Sequence, residues 1–136
     1  MIRFQTTIRV RYGETDKMGV VYNGNYALYF EVGRTEALRE LGLTYDNIEA
    51  NGVMMPVHSM NAVFKRPAYY DDLLTITSMF KELPTSRTQI FYEITNAAGQ
   101  LICTGDTTLV FIDSATNKPV RCPAFISEVF QPLFEG

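Results

Sequence analysis

The chain is short of the residues that most enzyme chemistries draw on. Its 136 residues include one histidine, His58, and two cysteines, Cys103 and Cys122. A metal site needs several His, Cys or carboxylate ligands at workable spacings. A His-rich centre is therefore excluded, and no metal is expected. Two cysteines are too few for a disulfide framework, and neither pairs with His at a metal-ligand spacing. Cys103 falls within a strand pattern and reads as a small buried hydrophobe. No G-x-S-x-G occurs, so a serine nucleophile elbow is absent. A P-loop and a G-x-G-x-x-G turn are absent too. A Ser–His or Cys–His mechanism would have to use His58, and nothing in the sequence ties it to a nucleophile.

Clustered positive charge is also lacking. Twelve Lys and Arg face fifteen Asp and Glu, for a net charge of -3, and the basic residues are scattered. Nucleic acid is not an expected partner, because binding its backbone needs clustered cations. A local basic patch for a phosphorylated ligand stays open. No run is long and apolar enough to span a bilayer. The first residues, Met-Ile-Arg-Phe-Gln-Thr-Thr, hold no apolar stretch of signal-peptide length, so the expected compartment is the cytoplasm. Hydrophobic residues at 46% and charged residues at 20% are ordinary for a folded protein. The length suits one domain, residues 1–136, around one core.

What is present is a strand, a helix and more strands. Phe4, Thr6, Ile8, Val10 and Tyr12 alternate with polar residues, which predicts a strand that Gly13 ends. From about Gly24 to Leu41 the apolar spacing becomes helical, through Tyr26, Phe30, Gly33, Ala37 and Leu41, with Glu31, Arg34, Arg39 and Glu40 largely off that stripe. Asn23 is the expected N-cap. Gly42 followed by Leu43 is a helix stop. Gly33 costs the helix about 1 kcal/mol against Ala, which a close approach of helix to sheet would justify. Strand patterns follow at His58–Phe64, Leu74–Phe80, Thr88–Ile94 and Leu101–Ile112, the last apolar on much of both faces and so expected to be central. A short terminal helix is expected within Pro123–Phe134. Sequential strands with short links predict an antiparallel meander. The single long helix has only that sheet on which to bury its stripe. The fold class is α+β, with a curved antiparallel sheet of about five strands wrapped around one long helix.

The remaining place for chemistry is the loop before that helix. It carries Asp16 a few residues ahead of a helix start at Asn23–Asn25. A helix start offers free N–H groups and partial positive charge. Such an N–H can stabilise the oxyanion of a thioester's tetrahedral intermediate. A nearby carboxylate can attack the carbonyl or activate water. An Asp in such a loop is also an ordinary turn or capping residue, so the pattern by itself leaves both readings open.

The stretch Arg11-Tyr12-Gly13-Glu14-Thr15-Asp16-Lys17-Met18-Gly19-Val20-Val21-Tyr22-Asn23-Gly24-Asn25-Tyr26, followed by Phe30-Glu31-x-x-Arg34-x-Glu36-x-Leu38, resembles the 4-hydroxybenzoyl-CoA thioesterase family of hotdog-fold proteins. Phe64-Lys65-Arg66-Pro67-Ala68-Tyr69-Tyr70-Asp71-Asp72-Leu73 is similar to that family's second landmark. The resemblance runs from about Thr6 to Pro123. It implies a hotdog fold and hydrolysis of an acyl-CoA, with no cofactor beyond the CoA of the substrate. Asp16 matches the catalytic carboxylate, as nucleophile or general base. Asn23 matches the position whose backbone N–H polarises the carbonyl. Tyr22, Asn25 and Tyr26 would shape the pocket. The family's site lies at a dimer interface, so His58 and Met60 would line a partner's pocket, and a homodimer or homotetramer is implied. Lys65, Arg66 and Arg87 are the implied contacts to CoA phosphates. Many members carry His where this chain has Asn23, so the backbone N–H is kept while a side-chain imidazole is not.

Three further readings remain at this point. Acyl carrier protein is open in place of CoA. A hotdog acyl-thioester dehydratase would have to use His58, without the helix-borne acid it needs. A non-catalytic acyl-thioester-binding or interaction module would keep the fold without the reaction. Glu14 either raises the pKa of Asp16 by repulsion or faces water as a turn residue; the latter is expected. Apart from the resemblance, the favoured reading of His58 is a hydrogen-bonded sheet residue.

Overall fold

The computed structural model describes residues 1–135. Strand β1, Ile2–Arg9, alternates half-buried and exposed side chains as the period-two pattern predicts. It stops earlier than expected. The Val10 N–H donates to the Asp72 carbonyl, the Val10 carbonyl accepts from the Asp71 N–H, and Tyr12–Glu14 turn into a short 3-10 helix. Helix α1 runs Asn25–Glu40. Its end follows the sequence signal: Gly42 takes φ +80°, and the Leu43 N–H donates to the Leu38 carbonyl at 2.8 Å. Its start does not. Gly24 is the capping residue, with no side-chain bond, so Asn23 is not the N-cap. The chain turns through Tyr22–Asn25 instead, where the Asn25 N–H donates to the Tyr22 carbonyl.

A short helix α2, Tyr45–Ala50, follows, capped by the Thr44 hydroxyl. Then come β2 at Val53–Met54, β3 at Val57–Phe64, β4 at Leu73–Phe80, β5 at Arg87–Thr95, β6 at Leu101–Asp113, β7 at Lys118–Val120, and α3 at Ala124–Glu135. The five long strands agree with the expected set. The two- and three-residue strands β2 and β7, which clip the far end of β6, bring the described sheet to seven. Helix α2 was not anticipated either.

The sheet order is β1-β4-β5-β6, with β2, β3 and β7 also on β6. All pairs are antiparallel. Strand β6 is central, as its two apolar faces predicted. The uninterrupted meander is corrected, since among the long strands only β4-β5-β6 runs that way, with short β7 folding back on β6. Strand β3 pairs with β6 and not with β4. The Lys65 and Arg66 N–H groups both donate to the Ile102 carbonyl, and the Lys65–Asp72 link then crosses to the other side of the sheet. Fully extended, eight residues reach about 26 Å, ample for a crossing of three strand spacings, about 14 Å.

Helix α1 lies across β1, β4 and β5. Phe30 stacks on Tyr92 with ring centres 4.5 Å apart. Gly33 allows the contact: a Cβ there would sit 2.7 Å from both Ile76 Cγ2 and Ser78 Oγ. The buried stripe is broader than the apolar spacing predicts, because Tyr29 and Arg34 join it. Each has a polar anchor. Tyr29 donates its hydroxyl to Glu14 Oε1 at 3.0 Å, and Arg34 donates Nε–H to the Tyr45 hydroxyl of α2 at 3.2 Å. The Tyr92 hydroxyl, bonded to Thr107 at 2.7 Å, completes a polar thread through the core. Burial works to lower the Arg34 pKa, but the Tyr92 and Tyr45 oxygens outweigh it, and the guanidinium pKa rises.

Candidate active site

The loop between β1 and α1 is a narrow hairpin. Thr15 bridges Val21, the Asp16 N–H donates to the Val20 carbonyl at 2.9 Å, and Gly19 closes the tip by donating to the Asp16 carbonyl at 3.0 Å. Gly19 has φ +79°, a backbone conformation glycine adopts without strain. The hairpin is docked on the crossing segment, since the Val21 N–H donates to the Ala68 carbonyl and Val20 bridges Tyr69. The two landmark stretches of sequence therefore meet in space.

Asp16 is exposed at the tip of this hairpin. Its Oδ1 accepts from the Met18 N–H at 2.8 Å, and Oδ2 has no protein partner among the described residues. At the hairpin's base, the N–H groups of Asn23 and Gly24 make no hydrogen bond within the described residues, and Asn23 is exposed. This is the anion-ready helix start the sequence pointed to. A hollow of about 250 Å³ opens there, lined by Val20, Asn23, Tyr26, Phe64, Lys65 and Arg66. The Tyr26 and Phe64 ring centres lie 5.4 Å apart. Asp16 opens on a second hollow, of about 520 Å³, walled by the exposed rings of Tyr12 and Tyr70. Those tyrosines stack edge to face at 5.7 Å. Sequence reasoning missed both, because their position on the crossing segment and the 3-10 turn shows only in three dimensions.

The other expected residues fall as follows. Tyr26 is buried, and its hydroxyl is pushed up to about 12 by burial, then by Cys103 and Asp72; it stays protonated at neutral pH. Tyr22 is exposed beside Gly24, where a Cβ would meet its ring at 2.6 Å. The Asn25 amide donates to the Glu14 carbonyl at 2.8 Å, so it braces the loop. Glu14 is half-buried and bonded to Tyr29; it does not face water as a free turn residue. Lys65 and Arg66 are exposed, with no carboxylate within 4.0 Å among the described residues. Arg87 lies far from them in the same chain. It pairs with Val110 on β6, whereas Lys65 and Arg66 bond at Ile102, a separation of about 27 Å along the strand. His58 and Met60 are exposed on β3, apart from both hollows. Met60 shares the sheet face of Phe64, opposite the inward Thr107.

The thiols stand aside from the chemistry. Burial pushes both Cys103 and Cys122 up to about 11, so neither forms the thiolate a nucleophile requires. The arrangement offers a carboxylate, free N–H donors at a helix start and unpaired cations, all around one hairpin.

Residues 10–130 match the thioesterase-like superfamily. The chain belongs to that superfamily. It is similar to YneP of Bacillus subtilis (strain 168), a proposed acyl-CoA thioesterase, at 35% identity over 114 residues, 84% of this chain and 83% of that protein. It is similar to the acyl-CoA thioester hydrolase YbgC of Escherichia coli O6:H1, at 30% identity over 128 residues, 94% of this chain and 96% of the relative. Its fold is that of the DHNA-CoA thioesterase from Staphylococcus aureus, with a TM-score of 0.93 and 36% identity, covering 99% of this chain and 93% of that one. The thioester-hydrolase activity and the hotdog architecture implied by the resemblance agree with this membership. No helix among the described residues is long and apolar enough to cross a membrane.

Proposed function

We propose that this thioesterase hydrolyses acyl-CoA, with Asp16 as nucleophile or general base and the Asn23 N–H as oxyanion donor. The observation that carries the reading is the pair of free N–H groups at Asn23 and Gly24, on the same hairpin that holds Asp16 with one carboxylate oxygen free. The thioester carbonyl oxygen lies against the helix start, where developing negative charge is stabilised most in the transition state. Asp16 attacks the carbonyl carbon, or draws a proton from water that does. The C–S bond breaks and CoA leaves as its thiolate. In the covalent route, water then hydrolyses the mixed anhydride.

Lys65 and Arg66 take the CoA phosphates as point charge and fork respectively. A second copy completes the site by pairing along β3. Antiparallel self-pairing sets the Phe64 end of one strand beside the Val57 end of the other. Because Val57 pairs with Leu109 and Arg87 with Val110, the second copy's Arg87 is carried toward Lys65 and Arg66. That places Arg87 in reach of a CoA only in the dimer, and it brings the second copy's His58 and Met60 to the crevice.

The test is release of free thiol from short, medium, long-chain and aromatic acyl-CoAs. Asp16→Asn is expected to lower kcat at least about a hundredfold, the usual loss for a positioned acid–base group. Full-rate turnover by Asp16→Asn would sink the mechanism. Tight acyl-CoA binding with no turnover by the unaltered protein would sink the reaction.

A further inference from the structure

Glu14 is the most heavily engaged residue of the hairpin, and no catalytic step uses it. Its Oε1 accepts from the Arg11 N–H at 2.8 Å and from the Tyr29 hydroxyl at 3.0 Å. Its carbonyl accepts from the Tyr22 N–H at 3.0 Å and from the Asn25 amide at 2.8 Å. These four donors come from three places: the incoming arm, the outgoing arm, and helix α1. Asn25 and Tyr29 are one turn apart, so both project from the same side of α1. Asn25 takes the main chain of Glu14, and Tyr29 takes its side chain.

The consequence is geometric. Asp16 sits two residues beyond Glu14 on the incoming arm, and the Asn23 N–H follows Tyr22 on the outgoing arm. Glu14 is the point where both arms are tied to each other and to α1. The Tyr29 ring is almost wholly buried, at 1% exposure, and stacks edge-on with Tyr26 at 5.5 Å. Its hydroxyl is therefore a fixed post, anchored in the core, rather than a mobile surface group. The Glu14 carboxylate raises the Tyr29 pKa further, after burial, so the tyrosine stays a donor across the working pH range.

We infer that Glu14, clasped by the Tyr29 hydroxyl, is a positioning residue that fixes Asp16 and the Asn23 N–H relative to one another. It touches no reacting atom. This rests on the thioesterase reading for its kinetic consequence, but the clasp itself can be read without turnover. An Asp residue at the tip of an exposed hairpin is otherwise free to drift, and a displacement of about 1 Å at a reacting group can cost a hundredfold in rate.

The experiment compares Glu14→Ala, Glu14→Gln and Tyr29→Phe with the unaltered chain on one acyl-CoA. Glutamine keeps an oxygen acceptor for Arg11 and Tyr29 without a charge. The expectation for Glu14→Ala is a fall in kcat of about tenfold to a hundredfold, with KM within about twofold. Glu14→Gln should recover kcat to within about threefold of the unaltered chain, and Tyr29→Phe should fall between the two. Equal losses in Glu14→Ala and Glu14→Gln would make Glu14 a chemical base and overturn the inference, as would unchanged kcat in Glu14→Ala. If Glu14→Ala does not fold, Tyr29→Phe decides alone, with unchanged kcat counting against. Amide hydrogen exchange supplies the arm that needs no turnover. Neither Met18 nor Tyr22 donates its N–H to the Glu14 carboxylate, yet exchange at both should speed up about tenfold in Tyr29→Phe, with the melting temperature held. Faster exchange confined to Arg11 would overturn the clasp. Absence of turnover in the unaltered chain, with the exchange result as expected, would reject the thioesterase reading and leave the clasp standing.

Discussion

Asp16, Asn23 and Tyr26 were singled out by the resemblance of their stretch to a known family, and the structure sets them along one hairpin and the helix that follows it. Glu14 was misread because its neighbours in space, Tyr29 above all, lie a full helical turn beyond the loop. Cys103, by contrast, was read from its strand pattern as a small buried hydrophobe, and the structure agrees. Cys103 is fully buried, and its pKa lies near 11 against an ordinary 9.0. A thiol that titrates higher when folded than when unfolded favours the folded state while protonated. Its contribution is whole below pH 9 and is lost as pH rises through about 11. Tyr26, pushed from 10.0 to about 12, extends the same loss to higher pH. Stability measured by urea unfolding should therefore fall between pH 9 and 11, and the slope should be shallower in Cys103→Ala, even though that variant is less stable at every pH. An unaltered slope in Cys103→Ala would remove Cys103 as a source of the alkaline loss.

At the scale of elements, periodicity located every long strand and the long helix, because those elements bury one face and repeat. It failed where an element is short or is fixed by a partner. Helix α2 is held by Thr44 and by the Arg34–Tyr45 bond, neither of which has a period. Gly33 was legible as a point of contact, but Gly105 was not. In β6 it reads as one more small residue of a central strand. In space, a Cβ at Gly105 would lie 2.5 Å from the Phe30 ring and 2.6 Å from the Asn61 carbonyl oxygen. The obstacle at Gly33 is made of side-chain atoms, those of Ile76 and Ser78. The obstacle at Gly105 includes backbone of the paired strand β3, which cannot change rotamer. Overpacking of this kind costs about 1–3 kcal/mol and occasionally more. Gly105→Ala should therefore destabilise by about 3 kcal/mol in urea unfolding, more than Gly33→Ala in the same assay. The reverse order would show that β3 yields more easily than the α1–β4 contact.

At the scale of the whole molecule, the order of strands was beyond the sequence, because nothing in β3 says that it will skip β4 and join β6. That placement leaves β3 at an edge, and the two edges of this sheet are built differently. Strand β1, at one edge, carries Arg3 and Arg9, and exposed charge on an edge discourages further pairing. Strand β3, with β2 at the other edge, has no charged residue and no proline between Val57 and Phe64. It is exposed along nearly its whole length, with Val57, Met60, Val63 and Phe64 at 43–50% exposure. On the inner face of β3, helix α1 touches Phe64 through the Tyr26 ring, and Met60 on that same face is left half-exposed. An edge strand of that length and composition invites a further strand, and a second copy supplies one of matching pattern. Met60→Lys would place a charge on the face that the pairing buries, where an unpaired charge is costly. In sedimentation, the unaltered chain should run as a dimer or larger at micromolar concentration, and Met60→Lys as a monomer. On the proposed site, thiol release by Met60→Lys should fall with the assembly, because that proposal has Lys65 and Arg66 share the CoA with the second copy's Arg87. A monomeric unaltered chain with full activity would show that one copy holds a complete site, and the exposed strand would then need another explanation.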